Sequence, residues 1–169
     1  HLNDKDGKMS KSKGEFLTVS LLEEKGYNPL AYRYLCLNSY YHNGLTFSFD
    51  ILDGASREYS KLRNKSLNLD NDGEIDKEKF ENYNNSFKEA LGNDLNTSMG
   101  ITILYEVLKD NELNDATKRE LVYNFDKVLS LDLLINLVFL RITSYSSKTV
   151  YDNTTSSPIG TSQSVISKA

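Results

Sequence analysis

The sequence predicts an all-α protein made of antiparallel helices. Apolar side chains recur every three or four positions in successive segments, which is the spacing of a helix with one buried face. Residues that cap helices precede several of these segments, and short polar stretches separate them, as in a helical bundle. Of the 169 residues, 38% are hydrophobic and 26% are charged, which is typical of a globular chain with cores of moderate size. No segment before residue 134 has the pattern of a β-sheet.

The chain opens with a polar stretch, residues 1–16, that is punctuated by glycines and is expected to be a loop. Residues 18–25 predict a short helix that is capped by Thr18 or Ser20 and ended by Gly26. The first part of the chain therefore leads from a lysine-rich loop into helical structure.

A second predicted helix begins at Pro29, because Asn28 before it is a good cap and proline fits the first helical position. The Asn-Gly pair at 43–44 breaks this helix. Ser48 then caps a third predicted helix over about residues 49–66. Its buried face carries four side chains at helical spacing: Leu52, Ala55, Tyr59 and Leu62.

Three amphipathic helices come after a polar linker at residues 68–76. Their buried stripes are Phe80, Tyr83, Phe87 and Leu91 in the first, Ile101, Leu104, Tyr105 and Leu108 in the second, and Leu121, Val122, Phe125, Val128 and Leu129 in the third. We therefore expect four parts: a loop (1–16), a helical region (17–67), a helical bundle (75–134) and an atypical tail (135–169).

The tail differs in kind from the rest of the chain. From Thr143 to Ala169, 13 of 27 residues are serine or threonine, so the tail lacks the apolar surface needed to order itself. We expect disorder there, or at most a short strand. Because the change is abrupt near residues 134–136, we interpret the tail as the product of a frameshift or of a truncated reading frame.

Charge and composition argue against several classes of protein. The net charge of −4 argues against binding nucleic acid through the field of the whole molecule, although a local basic patch would still allow it. Cys36 is the only cysteine, so no internal disulfide can form, and we expect a cytoplasmic chain in which this thiol is a small buried hydrophobe. No apolar run reaches the roughly 20 residues needed to cross a bilayer, and we expect no membrane partner.

The opening loop has chemistry that suits phosphate groups. In "KMSKSKG", lysine ammonium groups on long stems can reach phosphate oxygens, and Ser10 and Ser12 add hydroxyl donors. Gly7 and Gly14 on either side permit the loop to move. Such a loop can close over a nucleoside triphosphate and stabilise the negative charge that develops during transfer. The alternative is a basic loop that is only solvated.

This loop resembles the KMSKS signature of the class I aminoacyl-tRNA synthetases, which here reads Lys8, Met9, Ser10, Lys11 and Ser12. The residues after the signature are similar to the cysteinyl-tRNA synthetase pattern through landmarks in the same order: Phe16, Pro29, the pair Arg33 and Tyr34, and the run from Leu45 to Ser48. The later "ALGNDLNTSMGITILYEVLKD" resembles a segment that opens a helix of that family's C-terminal bundle. The resemblance runs from residue 1 to about residue 134.

The resemblance implies a C-terminal fragment of an enzyme that uses ATP to convert cysteine to cysteinyl-adenylate and then transfers it to tRNA(Cys). The catalytic candidates are Lys11, which would contact the ATP phosphates and stabilise the activation transition state, and Lys8, which would assist it. The ATP-binding loop would be completed by Met9, Ser10 and Ser12. The full enzyme would be a cytoplasmic monomer.

The same resemblance divides the helical part of the chain. Residues 17–67 would form a stem-contact region beside the tRNA, and residues 75–134 would form the bundle on the tRNA side. Candidate tRNA contacts are Arg33 and a stripe on one face of the third predicted helix, formed by Arg57, Lys61 and Lys65. The alternatives are that this stripe is a solvated face and that Arg33 pairs with an acidic residue of the first helix.

Two departures from the family pattern limit what this chain can do. The family's HIGH signature and the cysteine, histidine and glutamate ligands of the family's zinc ion are absent from this sequence. We therefore expect zinc only in the missing N-terminal part, no metal ligand in this fragment and no catalysis by this chain alone. Residues 40–42 read Tyr-Tyr-His where the family commonly has His-Tyr-Arg, which weakens the transfer of a tRNA or adenylate contact to Tyr40 or His42.

A competing motif lies at residues 68–79, "NLDNDGEIDKEK", which resembles an EF-hand calcium loop. Asn68, Asp70 and Asp72 fall at ligand positions, but Lys79 stands where a bidentate carboxylate is required. We interpret the segment as a linker. The alternative for the whole chain is a helical module without catalysis that binds RNA or, weakly, calcium.

Overall fold

A computed structural model of the chain describes residues 2–4, 7–8 and 17–134, which form six helices and three short strands. The helices are α1 (Val19–Glu24), α2 (Pro29–Leu37), α3 (Phe49–Leu67), α4 (Lys77–Gly92), α5 (Thr97–Lys109) and α6 (Asp115–Leu129). The strands are β1 (Leu2–Asp4), β2 (Gly7–Lys8) and β3 (Leu45–Thr46). The predicted all-α class is confirmed. The expectation for the tail, residues 135–169, lies outside the described residues.

A side-chain cap begins each of these helices. In every case the oxygen of the residue before the helix accepts a hydrogen bond from a backbone N–H of the first turn: Thr18, Asn28, Ser48, Asp76, Asn96 and Asn114. These bonds satisfy donors that have no partner within the helix. The caps predicted at Asn28 and Ser48 are confirmed, and of the two candidates for α1 the structure uses Thr18.

The small sheet is not predicted by the sequence, in which residues 1–16 are expected to form a loop. Strand β1 lies in the middle, antiparallel to β2 and parallel to β3. Asn3 is opposite Lys8 on one side and Thr46 on the other, and the Phe47 N–H donates to the Asn3 carbonyl at 2.7 Å. Strands of two or three residues have no readable alternation, so only their distant partners define them.

One hydrophobic core runs through the helices. Leu22 of α1, Ala31 of α2 and Leu52 of α3 are almost fully buried in its first part. In the second part, α4, α5 and α6 pack against one another, and the rings of Phe87 and Phe125 stack with centroids 4.0 Å apart. The stripes predicted from helical spacing supply most of these side chains, but the prediction was wrong for Val128, which is exposed on α6.

The end of α6 and the segment after it, residues 129–133, are bound by side chains from earlier helices. Arg33 of α2 donates from Nε to the Leu129 carbonyl at 2.6 Å, and the Tyr59 hydroxyl of α3 donates to the Leu131 carbonyl at 2.8 Å. Alternate side chains of the segment, Leu129, Leu131 and Leu133, are fully buried. The chain after the last helix is therefore part of the core.

Local contacts shape the same segment. The Asp126 carboxylate accepts the N–H groups of Leu131 at 2.7 Å and of Leu133 at 3.0 Å. Ser130 and Asp132 have positive φ angles of 52° and 53°, a conformation that costs a residue with a side chain of the order of 1 kcal/mol. The hydrogen bonds and the burial of the leucines offset that cost.

Candidate functional site

We call Lys8–Ser12 the phosphate-binding loop; of these five residues, the structure describes only Lys8. Lys8 is the last residue of β2, so its backbone is fixed by pairing with Asn3 of β1. The remaining candidates, Met9, Ser10, Lys11 and Ser12, lie outside the described residues. The structure thus describes the backbone pairing of Lys8 and no later residue of the signature.

The sheet in turn depends on the connection between α2 and α3. This connection, residues 38–48, contains β3 and the Tyr-Tyr-His run at 40–42. All three side chains of that run contact the carboxylate of Asp94, which lies between α4 and α5. We call Tyr40, Tyr41, His42 and Asp94 the Asp94 cluster.

The geometry of the Asp94 cluster uses both carboxylate oxygens. The Tyr41 hydroxyl donates to Oδ1 at 2.6 Å, whereas the Tyr40 hydroxyl donates to Oδ2. Nε2 of His42 lies 2.8 Å from Oδ2, and the imidazole donates because an ionised carboxylate can only accept. The rings of Tyr41 and His42 lie with their centroids 4.1 Å apart. Three donors from one short run therefore converge on a single side chain.

These hydrogen bonds determine the electrostatics of the cluster. The hydroxyls of Tyr40 and Tyr41 and the His42 ring together lower the pKa of Asp94 to about 2. The same contact raises the pKa of Tyr40 to about 12, because its phenolate would lie beside a negative charge. Asp94 is consequently ionised at neutral pH. The cluster lies at the surface, with the side chains of His42 and Asp94 57% and 48% exposed.

The basic stripe lies on α3 as the spacing indicated. Arg57, Lys61 and Lys65 are all exposed and share one face of this helix. Lys61 also forms an ion pair with Glu58, with Nζ and Oε1 2.9 Å apart, and both side chains remain largely in water. An exposed pair of this kind contributes little to stability and does not prevent a contact with phosphate.

Arg33 has a different environment from the stripe. Its guanidinium donates to the Leu129 carbonyl at the end of α6, and the structure brings it to that carbonyl rather than to an acidic residue of α1. The residue is still exposed overall. Arg63, close to the stripe in sequence, similarly donates to the Asp132 carbonyl at 2.9 Å.

The acidic segment at 68–79 makes structural contacts. Asp76 caps α4, and its own backbone N–H donates to Thr117 Oγ1 at 2.9 Å. Lys79 binds Glu112, with Nζ and Oε2 3.0 Å apart. Within residues 2–4, 7–8 and 17–134, no group of three or more His, Cys, Asp or Glu side chains could hold a metal ion. The geometry thus favours the linker interpretation of this segment.

Cys36 is half-buried beside Tyr32, in the wall of an open pocket of about 440 Å³ that also includes Tyr40, Tyr41 and Leu95. Burial raises the pKa of its thiol, which disfavours the reactive thiolate. The thiol is therefore less buried than expected from the sequence, although its raised pKa agrees with a packing rather than a reactive role.

Sequence reasoning missed Asp94. The segment "ALGNDLNTS" resembles a helix opening, but its Gly-Asn-Asp run only predicts a turn between helices. Nothing in that run identifies residues 40–42 as partners of the carboxylate. The only sequence signal was the Tyr-Tyr-His run at residues 40–42, whose side chains can all donate hydrogen bonds, and it did not identify Asp94 as their acceptor.

Comparison with known proteins gives a consistent result over most of the chain. It is 41% identical over 143 residues to the cysteine–tRNA ligase of Borrelia garinii subsp. bavariensis and 38% identical over 143 residues to that of Borreliella burgdorferi. Each match covers 75% of this chain and 29% of the relative. The cysteine–tRNA ligase of Novosphingobium aromaticivorans is 37% identical over 137 residues, which is 79% of this chain and 28% of the relative.

The chain therefore spans less than a third of the length of the curated relatives it matches. No protein-family model matches it. In the part of the chain that the structure describes, no helix combines the length and the hydropathy of a membrane span. On the strength of these relatives, the chain belongs to the cysteine–tRNA ligase family and corresponds to a part of its longer members.

Proposed function

We propose that this chain is the C-terminal part of a cysteine–tRNA ligase and carries its ATP-phosphate loop and its tRNA-side helices. The full-length protein converts cysteine and ATP to cysteinyl-adenylate and pyrophosphate, and then transfers the cysteinyl group to tRNA(Cys). The observation that carries this proposal is the 41% identity over 143 residues to a named cysteine–tRNA ligase. The five-residue signature at the end of β2 supports it.

Lys8 and Lys11 act on the triphosphate in this proposal. As the cysteine carboxylate attacks the α-phosphorus, the bond to the pyrophosphate oxygen breaks and negative charge grows on the leaving group. Lysine ammonium groups stabilise that charge more in the transition state than in the ground state, which is what accelerates the reaction. Ser10 and Ser12 donate hydrogen bonds, and Met9 belongs to the same ATP-binding loop.

The helices supply the RNA side. Arg57, Lys61 and Lys65 neutralise tRNA phosphates along the exposed face of α3, which positions the tRNA without reading its sequence. Residues 17–67 form the stem-contact region and residues 75–134 the bundle beyond it. Arg33 contributes through its exposed part while it binds the end of α6. The full-length enzyme is a cytoplasmic monomer.

Zinc does not fit the described residues of this chain. They contain no cluster of His, Cys, Asp and Glu side chains that could hold it, and the one cysteine is a half-buried helix residue. We propose that residues of the longer protein outside this chain bind the zinc ion, and we derive no step through it. We also propose that this chain alone is inactive, because its sequence lacks the HIGH signature of the family's nucleotide-binding site.

The activation step is tested by cysteine-dependent exchange of pyrophosphate into ATP, measured on the full-length ligase that carries this chain. Lys11→Ala is expected to slow exchange by about 100-fold or more, the usual cost of losing one charge-stabilising donor. Lys13→Ala, which alters a lysine of the same loop outside the signature, is the matched control. Equal rates for the two variants would contradict the role given to Lys11, and exchange by residues 1–169 alone would contradict the proposed inactivity.

The RNA contact is tested by the salt dependence of tRNA affinity. Replacing Arg57, Lys61 and Lys65 with alanine removes up to three phosphate contacts, so binding weakens and the slope of log affinity against log salt becomes shallower by up to about three. The control replaces two exposed basic residues of the bundle, Lys77 and Lys88, which lie on α4. Unchanged affinity and slope in the triple variant would exclude the stripe as the tRNA contact.

A further inference from the structure

The turn between α4 and α5 holds an unusual backbone conformation at the Asp94 cluster. Asp94 and Leu95 have consecutive positive φ angles of 56° and 52°, although neither is glycine. Each such residue costs of the order of 1 kcal/mol, so the turn is kept in this form against its own preference. Its result is to present the Asp94 carboxylate to the Tyr-Tyr-His run.

The first residues of α5 also hold the start of the connection that contains this run. The Thr97 hydroxyl donates to the Leu37 carbonyl at 2.7 Å, where α2 ends. Asp94 then binds residues 40–42, a few positions further along. The α4–α5 turn thus fixes the connection at two successive points.

From the connection, backbone pairing leads directly to the phosphate-binding loop. Residues 40–42 are followed by β3, whose Leu45 and Thr46 pair with β1. Strand β1 pairs in turn with β2, where Lys8 is opposite Asn3. Strands of two or three residues are not stable by themselves and need support from their flanks. Residues 40–42 of the Asp94 cluster come shortly before β3 in the chain, so the contacts of Asp94 restrain the segment that leads into this strand.

We propose that Asp94 is a positioning residue for the ATP step, because it fixes the connection that carries β3 and thereby the sheet in which Lys8, the first residue of the proposed ATP-binding loop, lies. This inference rests on the proposed function. Asp94 touches neither ATP nor the reacting atoms in this proposal. It acts through Tyr40, Tyr41 and His42, and its effect arises from the sensitivity of such reactions to displacements of about 1 Å.

A carboxylate is required at this position because both of its oxygens accept. Oδ1 binds the Tyr41 hydroxyl, and Oδ2 binds the Tyr40 hydroxyl and His42. Asparagine has the same shape but replaces one oxygen with an NH₂ group, which is a donor. Asp94→Asn therefore removes the negative charge and one acceptor: a tyrosine hydroxyl that faces the new NH₂ group has to accept instead of donating, and the remaining hydrogen bonds lose their charge assistance. Since the cluster is largely exposed, the change disturbs the connection without opening the core.

The test measures cysteine-dependent pyrophosphate exchange by the full-length ligase, with ATP and cysteine titrated separately. Asp94→Asn is expected to lower kcat for exchange by about tenfold to 100-fold, while the KM for cysteine stays within about twofold. The matched control is Asp110→Asn, which removes another tyrosine–aspartate contact of the bundle, the bond from the Tyr83 hydroxyl to Asp110 at 3.0 Å. A loss of general stability would affect both variants, whereas positioning affects only the first.

A second variant keeps the inference testable if Asp94→Asn lowers the yield of folded protein. Replacing Tyr40 and Tyr41 with phenylalanine retains both rings and removes two of the donors to Asp94. It is expected to reduce kcat in the same way, and combined with Asp94→Asn it should add little, because all three changes break one contact.

The possible outcomes separate the inference from the function on which it rests. If the wild type is active and both the Asp94 variant and the Tyr40/Tyr41 variant keep kcat within about twofold of it, the inference is overturned and the proposed function stands. A wild type with no cysteine-dependent exchange would overturn the proposed function and the inference together. A fall in kcat of equal size in the Asp110 control would also overturn the inference.

Discussion

The two halves of the described chain are held together in different ways. In the bundle of α4, α5 and α6, stacked Phe87 and Phe125 and a set of fully buried aliphatic side chains provide most of the contacts. In the region of α1 to α3, tyrosine hydroxyls bind partners far along the chain, such as Tyr27 with Asp53 and Tyr59 with the Leu131 carbonyl. The bundle depends on apolar area, and the first region depends on specific polar contacts made on top of its core.

The largest effect is expected where the bundle loses apolar area. Phe125→Ala removes a fully buried ring and its stacking partner's contact, and should lower the free energy of unfolding by about 3–5 kcal/mol. Urea unfolding followed by circular dichroism measures this change. Val128→Ala on the same helix, at an exposed position, should change it by less than about 0.5 kcal/mol. Similar losses in the two variants would refute the assigned role of the bundle core.

The next effect concerns a remote polar contact of the first region. Tyr59→Phe keeps the ring but leaves the Leu131 carbonyl, in a buried segment, without its donor. We expect unfolding free energy to fall by about 1–2 kcal/mol. Tyr123→Phe, which removes a hydroxyl from an exposed ring of α6, is the control and should have almost no effect. If both variants are neutral, the hydroxyl contact does not hold the segment after α6.

Removal of a helix cap should lower the unfolding free energy by the same amount in the two halves. Asn28 caps α2 in the first region and Asn96 caps α5 in the bundle, each with a side-chain oxygen about 3 Å from a backbone nitrogen. Alanine at either position should lower the unfolding free energy by about 1 kcal/mol. The same denaturation measurement applies to both. A loss in one half much greater than in the other would show that one cap also supports tertiary contacts.

The smallest effect is a pH dependence of the Asp94 cluster. Hydrogen bonds lower the pKa of Asp94 from 3.8 to about 2 in the folded protein, so its contribution to stability is present above pH 3.8. The contribution is lost as the pH falls from there through about 2. The thermal unfolding temperature of the wild type should therefore fall more steeply over this pH window than that of Asp94→Asn. Parallel curves would mean that the carboxylate has an ordinary pKa.

The sequence predicted the bundle better than the first region for a physical reason. Helical spacing is a local signal, and it correctly indicated the apolar faces around Leu104 and Phe125. The pairing of Leu2 with Leu45 joins strands too short to show a pattern, and it was not predicted.

The candidate site shows the same division between local and distant signals. The signature Lys8–Ser12 is a contiguous motif and could be read directly from the sequence. The basic stripe on α3 was predicted from helical spacing, and the structure confirms that its three residues share an exposed face. The partners of Arg33 and of Asp94 are defined only by tertiary structure, and neither the Leu129 carbonyl nor the Tyr-Tyr-His run could be assigned to them beforehand.

The burial of residues 129–133 determines where this protein can be shortened. Leu131 and Leu133 are fully buried, and the Leu131 carbonyl accepts the hydroxyl of Tyr59, so deletion from Ser130 onward would leave a hole in the core and remove the partner of that hydroxyl. A stop codon placed after Leu134 keeps that segment whole. Any shortened version that preserves this core accordingly has to extend at least to Leu133, beyond the last turn of α6.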